Sequence, residues 1–507
     1  MGKLDWKNRA CAAVLLWATV PIGLSAQTFE TVHRFDGTHG GKPTGALVQA
    51  TSGNLYGTTD TGGSNNECGD GVGCGTVFEI SPSGGPVKTL YSFCSQGGTA
   101  CTDGANPQAG LVQGTGGNFY GTTQSGGAYT HCGTSGSCGT VFEITPGGAP
   151  TTLHSFDFTD GSGPGALVQA TSGDFYGTTW LGGADGQGIG TVFKITPSGT
   201  LTTLYSFCPQ IGCKDGASPT GLVQATNGNF YGTTYGGGAK HQGTVFKITP
   251  SGTLTTLYSF CSQTGCTDGS NPYAGLVQGT DGNLYGTTYR GGANKRGTVF
   301  KITPSGTLTT LYSFCSQVGC TDGEDPYAVL VEATDGNLYG TTQSGGANTT
   351  GCNIYGCGTV FKITSSGTLT TLYSLCSQSG CTDGNEPLAG LVQDTNGMFY
   401  GTTSHGGANA TDCGGGGCGT VFSLSVGLGP FVKTQPASGK VGGFVEILGT
   451  NLTGSTSVSF NGTPAVFRVV LNSLITPTVP AGATTGTVQV ITPGGTFSSN
   501  VPFRVRP

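Results

Sequence analysis

The side chains able to do chemistry recur at regular intervals, and cysteine is the most telling. Of 19 cysteines, 18 stand as close neighbours. Five pairs follow an apolar run: Cys94 with Cys101, Cys208 with Cys213, Cys261 with Cys266, Cys315 with Cys320, and Cys376 with Cys381. Four precede one: Cys68 with Cys74, Cys132 with Cys138, Cys352 with Cys357, and Cys413 with Cys418. Where an equivalent loop lacks one cysteine, as over 156–161 or 289–297, it lacks the partner too. Paired gain and loss predicts local disulfides in an oxidising compartment. A zinc site needs four convergent ligands. Each pair offers two, with no histidine at a fixed offset, so no metal centre is expected.

A second set is aromatic. The tetrapeptide Tyr-Gly-Thr-Thr begins at Tyr56, Tyr120, Tyr176, Tyr231, Tyr285, Tyr339 and Tyr400. The residue after it is Asp60, Gln124, Trp180, Tyr235, Tyr289, Gln343 or Ser404, so three successive units carry Trp180, Tyr235 and Tyr289. Tyr273 and Tyr327 add rings at the start of neighbouring strands. Such an arc suits stacking on sugar rings, because aromatic faces give a large contact area. Lys240, His241, Arg290, Lys295 and Arg296 lie in the same loops and form a local basic patch, which would admit an anionic polysaccharide. The same rings could instead pack between repeats while the charges solvate loops, and the sequence leaves both readings open.

An Asp-Gly step recurs at Asp36, Asp103, Asp160, Asp215, Asp268, Asp322 and Asp383. Calcium takes six or more oxygens, whereas a single aspartate per loop suits a turn that hydrogen-bonds its own backbone. Among the histidines, His33 and His154 replace a strand tyrosine. His39, His131, His241 and His405 fall in loops with no shared spacing and no nucleophile paired with them by motif. The glycine run 414–417 has no following Lys-Ser or Lys-Thr and reads as a loop. No catalytic residue and no cofactor are assigned.

These positions need elements to hold them. The tetrapeptides are 64, 56, 55, 54, 54 and 61 residues apart, a period that signals a repeat architecture. Within 272–314, four runs read as strands: 274–278, 283–288, 297–302 and 308–314. They are short, rich in Val, Thr and aromatics, and bounded by Gly, Pro or Asp. We name them A to D. An x-Gly pair between A and B, as in Asp281-Gly282, predicts a two-residue hairpin. Four-stranded meanders repeated radially make a β-propeller. The seventh unit lacks a D strand, while 29–35 carries the D pattern at the other end of the chain. A seven-bladed propeller closed by its N-terminal strand is therefore expected, with cysteine pairs and length variation on one face, where B-to-C and D-to-A loops lie.

Composition agrees. Glycine supplies 96 of 507 residues, and charged residues only 9%. Long amphipathic helices are excluded by that usage. A net charge of -6 offers no surface on the scale of a nucleic-acid binder. Residues 1–26 join a basic start to an apolar stretch and a small-residue end, the pattern of a secretory signal. No later run is apolar enough to span a membrane.

The runs 282–288 and 297–302, Gly-Asn-Leu-Tyr-Gly-Thr-Thr and Gly-Thr-Val-Phe-Lys-Ile, resemble the tandem GloVer repeats of exported bacterial proteins over about 28–428. That resemblance implies a repeat type and no activity. The unit order is also similar to that of streptogramin lyase propellers. Those carry Trp-Phe-Thr where this chain has Tyr-Gly-Thr, and no counterpart of their catalytic His and Glu is found. Beyond Gly429-Pro430 the pattern changes to 431–507. There, Gly449 to Leu452 and Val458 to Gly462 resemble the motifs of IPT/TIG domains, which implies a small immunoglobulin-like β-sandwich acting as a spacer or adhesion element.

The sequence thus predicts an all-β protein: a signal peptide over 1–26, a propeller over 27–428 and an IPT/TIG-like domain over 431–507. Its expected role is that of a secreted, non-enzymatic binding or adhesion protein that engages an extracellular glycan or surface protein. A polysaccharide lyase or hydrolase, and a structural matrix element, are the alternatives.

Overall fold

The computed structural model describes residues 27–506 except 66, 69–71, 130–131, 133–135, 185–187, 210, 351, 353–354, 408–412 and 414–415. The expected signal segment, 1–26, and His131 lie outside the described residues. Among those residues the chain is all-β, relieved only by four three-residue 3-10 turns. No helix among them is long and apolar enough to cross a membrane.

The repeat region forms seven antiparallel sheets, numbered 1 to 7 along the chain; six have four strands and the third has five. Sheet 5 is representative, with strands Val277–Gln278, Leu284–Thr288, Thr298–Ile302 and Leu308–Ser313. Its A-to-B turn is one residue longer than the two-residue hairpin expected. Gly279 and Asn283 close it, with Gly282 at φ 82° accepting the left-handed geometry that favours glycine. Sheet 7 borrows its fourth strand from the other end of the chain: Thr28–Arg34 runs antiparallel to Thr420–Ser425, with Phe29 opposite Leu424.

Each residue of the repeated tetrapeptide has a packing task. Tyr56 stacks on Phe119 of the next sheet at 4.2 Å between ring centroids. Any Cβ at Gly57 would come within 2.6 Å of the Phe78 ring. The Thr58 hydroxyl donates to the Ala109 carbonyl of the next sheet at 2.9 Å, and Thr59 meets Thr76 of its own sheet at 2.8 Å. Seven apolar clusters result, one between each sheet and its successor. The seventh joins Tyr400 and Val421 of sheet 7 to Leu47, Leu55 and Phe78 of sheet 1.

Two circuits of hydrogen bonds follow the same course. At the A-to-B turns, a backbone N–H donates to the A-strand Gln or Glu of the next sheet: Thr51 to Gln113, Thr115 to Gln169, Thr171 to Gln224, Thr226 to Gln278, Thr280 to Glu332, Thr334 to Gln393, and Thr395 to Gln49. At the opposite end, the residue leading into each A strand donates its N–H to the B-to-C loop of the preceding sheet. Lys42 thus bonds Cys418, Asn106 bonds Cys74, and Glu386 bonds Cys357.

Nine disulfides staple the loops at that second end, joining Cys68–Cys74, Cys94–Cys101, Cys132–Cys138, Cys208–Cys213, Cys261–Cys266, Cys315–Cys320, Cys352–Cys357, Cys376–Cys381 and Cys413–Cys418. Bridges in this number fit an extracellular or periplasmic location.

Beyond the repeats, two four-stranded sheets face each other across a core that includes Ile447, Val458, Phe460, Ile475, Val490 and Phe503. This unit sits on the A-to-B turns. The Phe431 N–H donates to Thr395 O at 3.0 Å, Ser473 Oγ to Thr51 O at 2.8 Å, and Gln435 Nε2 to Gln113 O at 2.9 Å. Arg504 reaches the Thr226 carbonyl, and Lys433 the Gln393 carbonyl.

Candidate functional site

The disulfide-bearing end of the sheets surrounds a cavity of about 530 Å³. Every sheet contributes to its lining, through the residues that open the A strand and those that follow the B strand. The first of these segments are rich in Gly and Ala because the innermost strands crowd together: a Cβ at Gly110 would lie 2.5 Å from the Ala46 carbonyl oxygen.

One wall is aromatic. Trp180, Tyr273 and Tyr327 line the cavity. Tyr273 lies 5.4 Å from Trp180 and 4.0 Å from Tyr327, centroid to centroid. Tyr235 and Tyr289 do not line it but pack against the rings that do, Tyr235 at 5.4 Å from Trp180 and Tyr289 at 6.1 Å from Tyr327. All five are half-buried. Trp180 of sheet 3 can touch Tyr273 of sheet 5 because sheet 4 opens its A strand with the small Thr220, in a segment that, like that of sheet 3, is one residue shorter than the others. Burial among its neighbours pushes the Tyr327 phenol far above its ordinary value, so its O–H remains a donor.

The facing wall is polar, with Lys42, Asp60, Gln108, Gln124, Ser404 and His405. Gln108 Nε2 donates to Asp60 Oδ1 at 3.2 Å. Ser404 Oγ lies 2.8 Å from His405 Nδ1, and Glu386 Oε2 lies 3.5 Å from the same nitrogen. A charge-relay triad would put serine and carboxylate on opposite ring nitrogens. Here both meet Nδ1, and the serine hydroxyl also reaches the Glu386 carbonyl at 2.9 Å. Burial lowers the pKa of His405, holding the ring neutral.

The basic patch expected in the loops is largely cancelled. Arg290 Nη1 donates to both carboxylate oxygens of Asp325, at 2.7 and 2.8 Å, and the guanidinium lies 4.3 Å above the Tyr289 ring. Arg296 pairs with Glu324 at 3.1 Å. Both carboxylates are buried, and burial raises their pKa. Both arginines of the expected patch are thus each paired with a buried carboxylate, while their own side chains stay partly exposed. Lys240, His241 and Lys295 are exposed on loop tips and are not among the residues lining the cavity.

The repeated aspartates are committed to their own loops. Asp268 accepts from the Tyr258 hydroxyl at 2.8 Å and from the backbone of Ser262 at 2.9 Å and Gln263 at 3.2 Å. His154 replaces the tyrosine in sheet 2 and reaches Asp160 at 2.6 Å. A second cleft, of about 580 Å³, lined by 347–350, 376–381, 385, 406–407 and 416–417, has no aromatic or charged side chain in its described lining.

The sequence pointed to the aromatic wall and missed the polar one. Comparing residues after Tyr-Gly-Thr-Thr does place Asp60, Gln124 and Ser404 at the positions equivalent to Trp180. Nothing in spacing indicates that these four positions converge on one cavity.

The fold and cavity define an all-β repeat protein of propeller-like architecture with a ligand-sized opening. The chain belongs to the Gloeobacter/Verrucomicrobia repeat family, whose model matches residues 20–213, 130–352, 190–414 and 265–459. Residues 431–505 match the IPT/TIG domain. No curated protein matches the chain. Among solved structures, the extracellular domain of a protein described as a hybrid two component system from B. thetaiotaomicron aligns with a TM-score of 0.50 and 10% identity, over 93% of this chain and 58% of that one. A domain described as that of a one component system from the same organism aligns at 0.47 and 12%, over 95% and 58%. A 6-phosphogluconolactonase-like protein from Bacteroides uniformis aligns at 0.40 and 17%, over 64% and 83%. The chain thus spans 58% of the two extracellular domains. At these identities the likeness concerns fold alone.

Proposed function

We propose that the repeat region is a seven-bladed β-propeller closed by its N-terminal strand, and that the exported protein is a non-enzymatic binding or adhesion protein for extracellular polysaccharide. The two hydrogen-bond circuits, each passing from sheet 7 to sheet 1, support the closed architecture. The observation that carries the functional reading is the cavity at the disulfide-bearing end. An aromatic wall of Trp180, Tyr273 and Tyr327 faces amide, carboxylate and hydroxyl groups across it. Sugars present flat C–H faces and equatorial hydroxyls, and those two walls complement the two kinds of surface.

Binding of the full mature chain to an array of neutral and anionic glycans tests this. A bound glycan class should be lost, by about tenfold or more in affinity, on Trp180→Ala and Tyr273→Ala in a protein whose melting transition is kept. No binding to any glycan, or binding indifferent to both substitutions, would turn the reading toward a structural or protein-binding role.

A lyase or hydrolase is the second reading, favoured by His405 with Glu386 at the same mouth. Product release from a bound glycan, abolished by His405→Gln, would establish it.

A further inference from the structure

The walls of this cavity close around it on every side. Its rim comes from segments of all seven sheets, among them Thr44, Gln108, Pro164, Thr220, Tyr273 and Leu388. An extended polymer lying across a surface needs a groove with two open ends. A pit rimmed throughout by protein admits a polymer by its end alone.

The far side carries the C-terminal domain. The A strands run from this rim to the A-to-B turns, and the C-terminal domain sits on those turns. Its hydrogen bonds reach Thr395 of sheet 7, Thr51 of sheet 1, Gln113 of sheet 2 and Thr226 of sheet 4. Sheets 7, 1 and 2 pack in succession, and sheet 4 is two packing steps from sheet 2 and three from sheet 7. The domain therefore bridges turns of sheets on both sides of the repeat region, at the end opposite the cavity.

Size sets the next limit. A volume of about 530 Å³ lies within the ~300–1,000 Å³ range of small-molecule sites, enough for a few sugar rings and no more. Trp180 supplies a stacking face at the rim, with the Tyr327 ring beside Tyr273 further along the same wall.

We infer that the cavity recognises the terminus of a glycan chain, a few sugar units inserted end-on, and that the IPT/TIG domain closes the opposite end of the channel. This rests on the glycan-binding reading above and narrows its ligand to chain ends.

Calorimetry on the full mature chain decides it. The probes are linear maltooligosaccharides with cyclodextrins, linear β-glucan oligomers with cyclic β-glucans, and oligouronates with the reducing or non-reducing end blocked. We expect one oligomer per chain, an affinity that stops rising after a few units, and at least about tenfold weaker binding of the end-less cyclic partner. Blocking one of the two ends should abolish binding, and which one identifies the terminus. Trp180→Ala should weaken binding about tenfold or more, while Tyr327→Phe, which keeps the ring, tests the hydroxyl alone without emptying the wall. Equal binding of cyclic and linear forms, or affinity that keeps growing with length, would overturn the chain-end inference and leave glycan binding standing. Failure of every carbohydrate probe would defeat the glycan reading, and this inference with it.

Discussion

Asp268 shows what one repeated residue contributes. Its carboxylate is buried and accepts from Tyr258, from the hydroxyl and backbone of Ser262, and from the Gln263 backbone. Removing it takes the shared acceptor from the partly buried Tyr258 hydroxyl and from the Ser262 and Gln263 backbone at once, so several hydrogen bonds are lost together. Asp268→Ala should therefore destabilise the protein by about 1–3 kcal/mol in denaturant titration. Tyr258→Phe, which leaves the carboxylate its backbone donors, should cost about 1 kcal/mol or less. A calcium role for these aspartates would instead show as calcium-dependent melting, which the loop-directed geometry predicts to be absent.

At the scale of elements, the B-to-C loop disulfides hold the contacts between sheets. Cys418 is both a disulfide partner of Cys413 and the carbonyl acceptor of Lys42 in sheet 1, at 2.8 Å. Cys74 and Cys357 hold Asn106 and Glu386 in the same way. Where the loop is short, Gln242 and Arg296 supply the carbonyl to Asn271 and Asp325 without a bridge. The longer loops thus need a covalent tie that the shorter ones do not. Replacing Cys413 and Cys418 together by Ser should cost about 2 kcal/mol, the loop entropy of so short a ring. Because Lys42 lines the cavity, ligand affinity should also fall in that variant. Unchanged stability and affinity would show the bridge to be idle.

For the whole molecule, the proposed closure would depend on residues distant in sequence. Phe29 stacks on Tyr373 at 3.8 Å and on Phe422 at 5.1 Å, so the N-terminal strand joins sheets 6 and 7 as well as completing the latter. Deleting residues 27–36 should lower the melting transition of the entire repeat region; an unchanged transition would count against closure. Alkaline pH offers a second test. Burial pushes Tyr91, Tyr258, Tyr312 and Tyr373 up to about 12, whereas an unfolded tyrosine ionises near ~10. Across that window the folded protein keeps protons that the unfolded chain gives up. Stability should therefore be intact below pH ~10 and fall as pH rises toward ~12. Melting followed against pH, with Tyr258→Phe and Tyr312→Phe together, should show a shallower decline.

Much of this was legible in the sequence because the repeat is its own alignment. Seven copies expose which positions vary together, and the cysteine pairs, the strand order and the N-terminal D-type strand emerge from that comparison. Hairpins and local bridges join residues close along the chain, so spacing alone determines them. The extra residue in the A-to-B turn escaped because an x-Gly signal serves two loop lengths equally well. What tertiary structure decided was convergence. Trp180, Tyr273 and Tyr327 gather on one wall, and Lys42, Asp60, Gln124 and His405 come to line the same cavity, because successive sheets pack so that loops hundreds of residues apart are brought together. Whether a charge is free is settled in the same way. Arg290 is 35 residues from Asp325, and only the packing of sheet 5 against sheet 6 brings the arginine of an apparent basic patch onto a buried carboxylate.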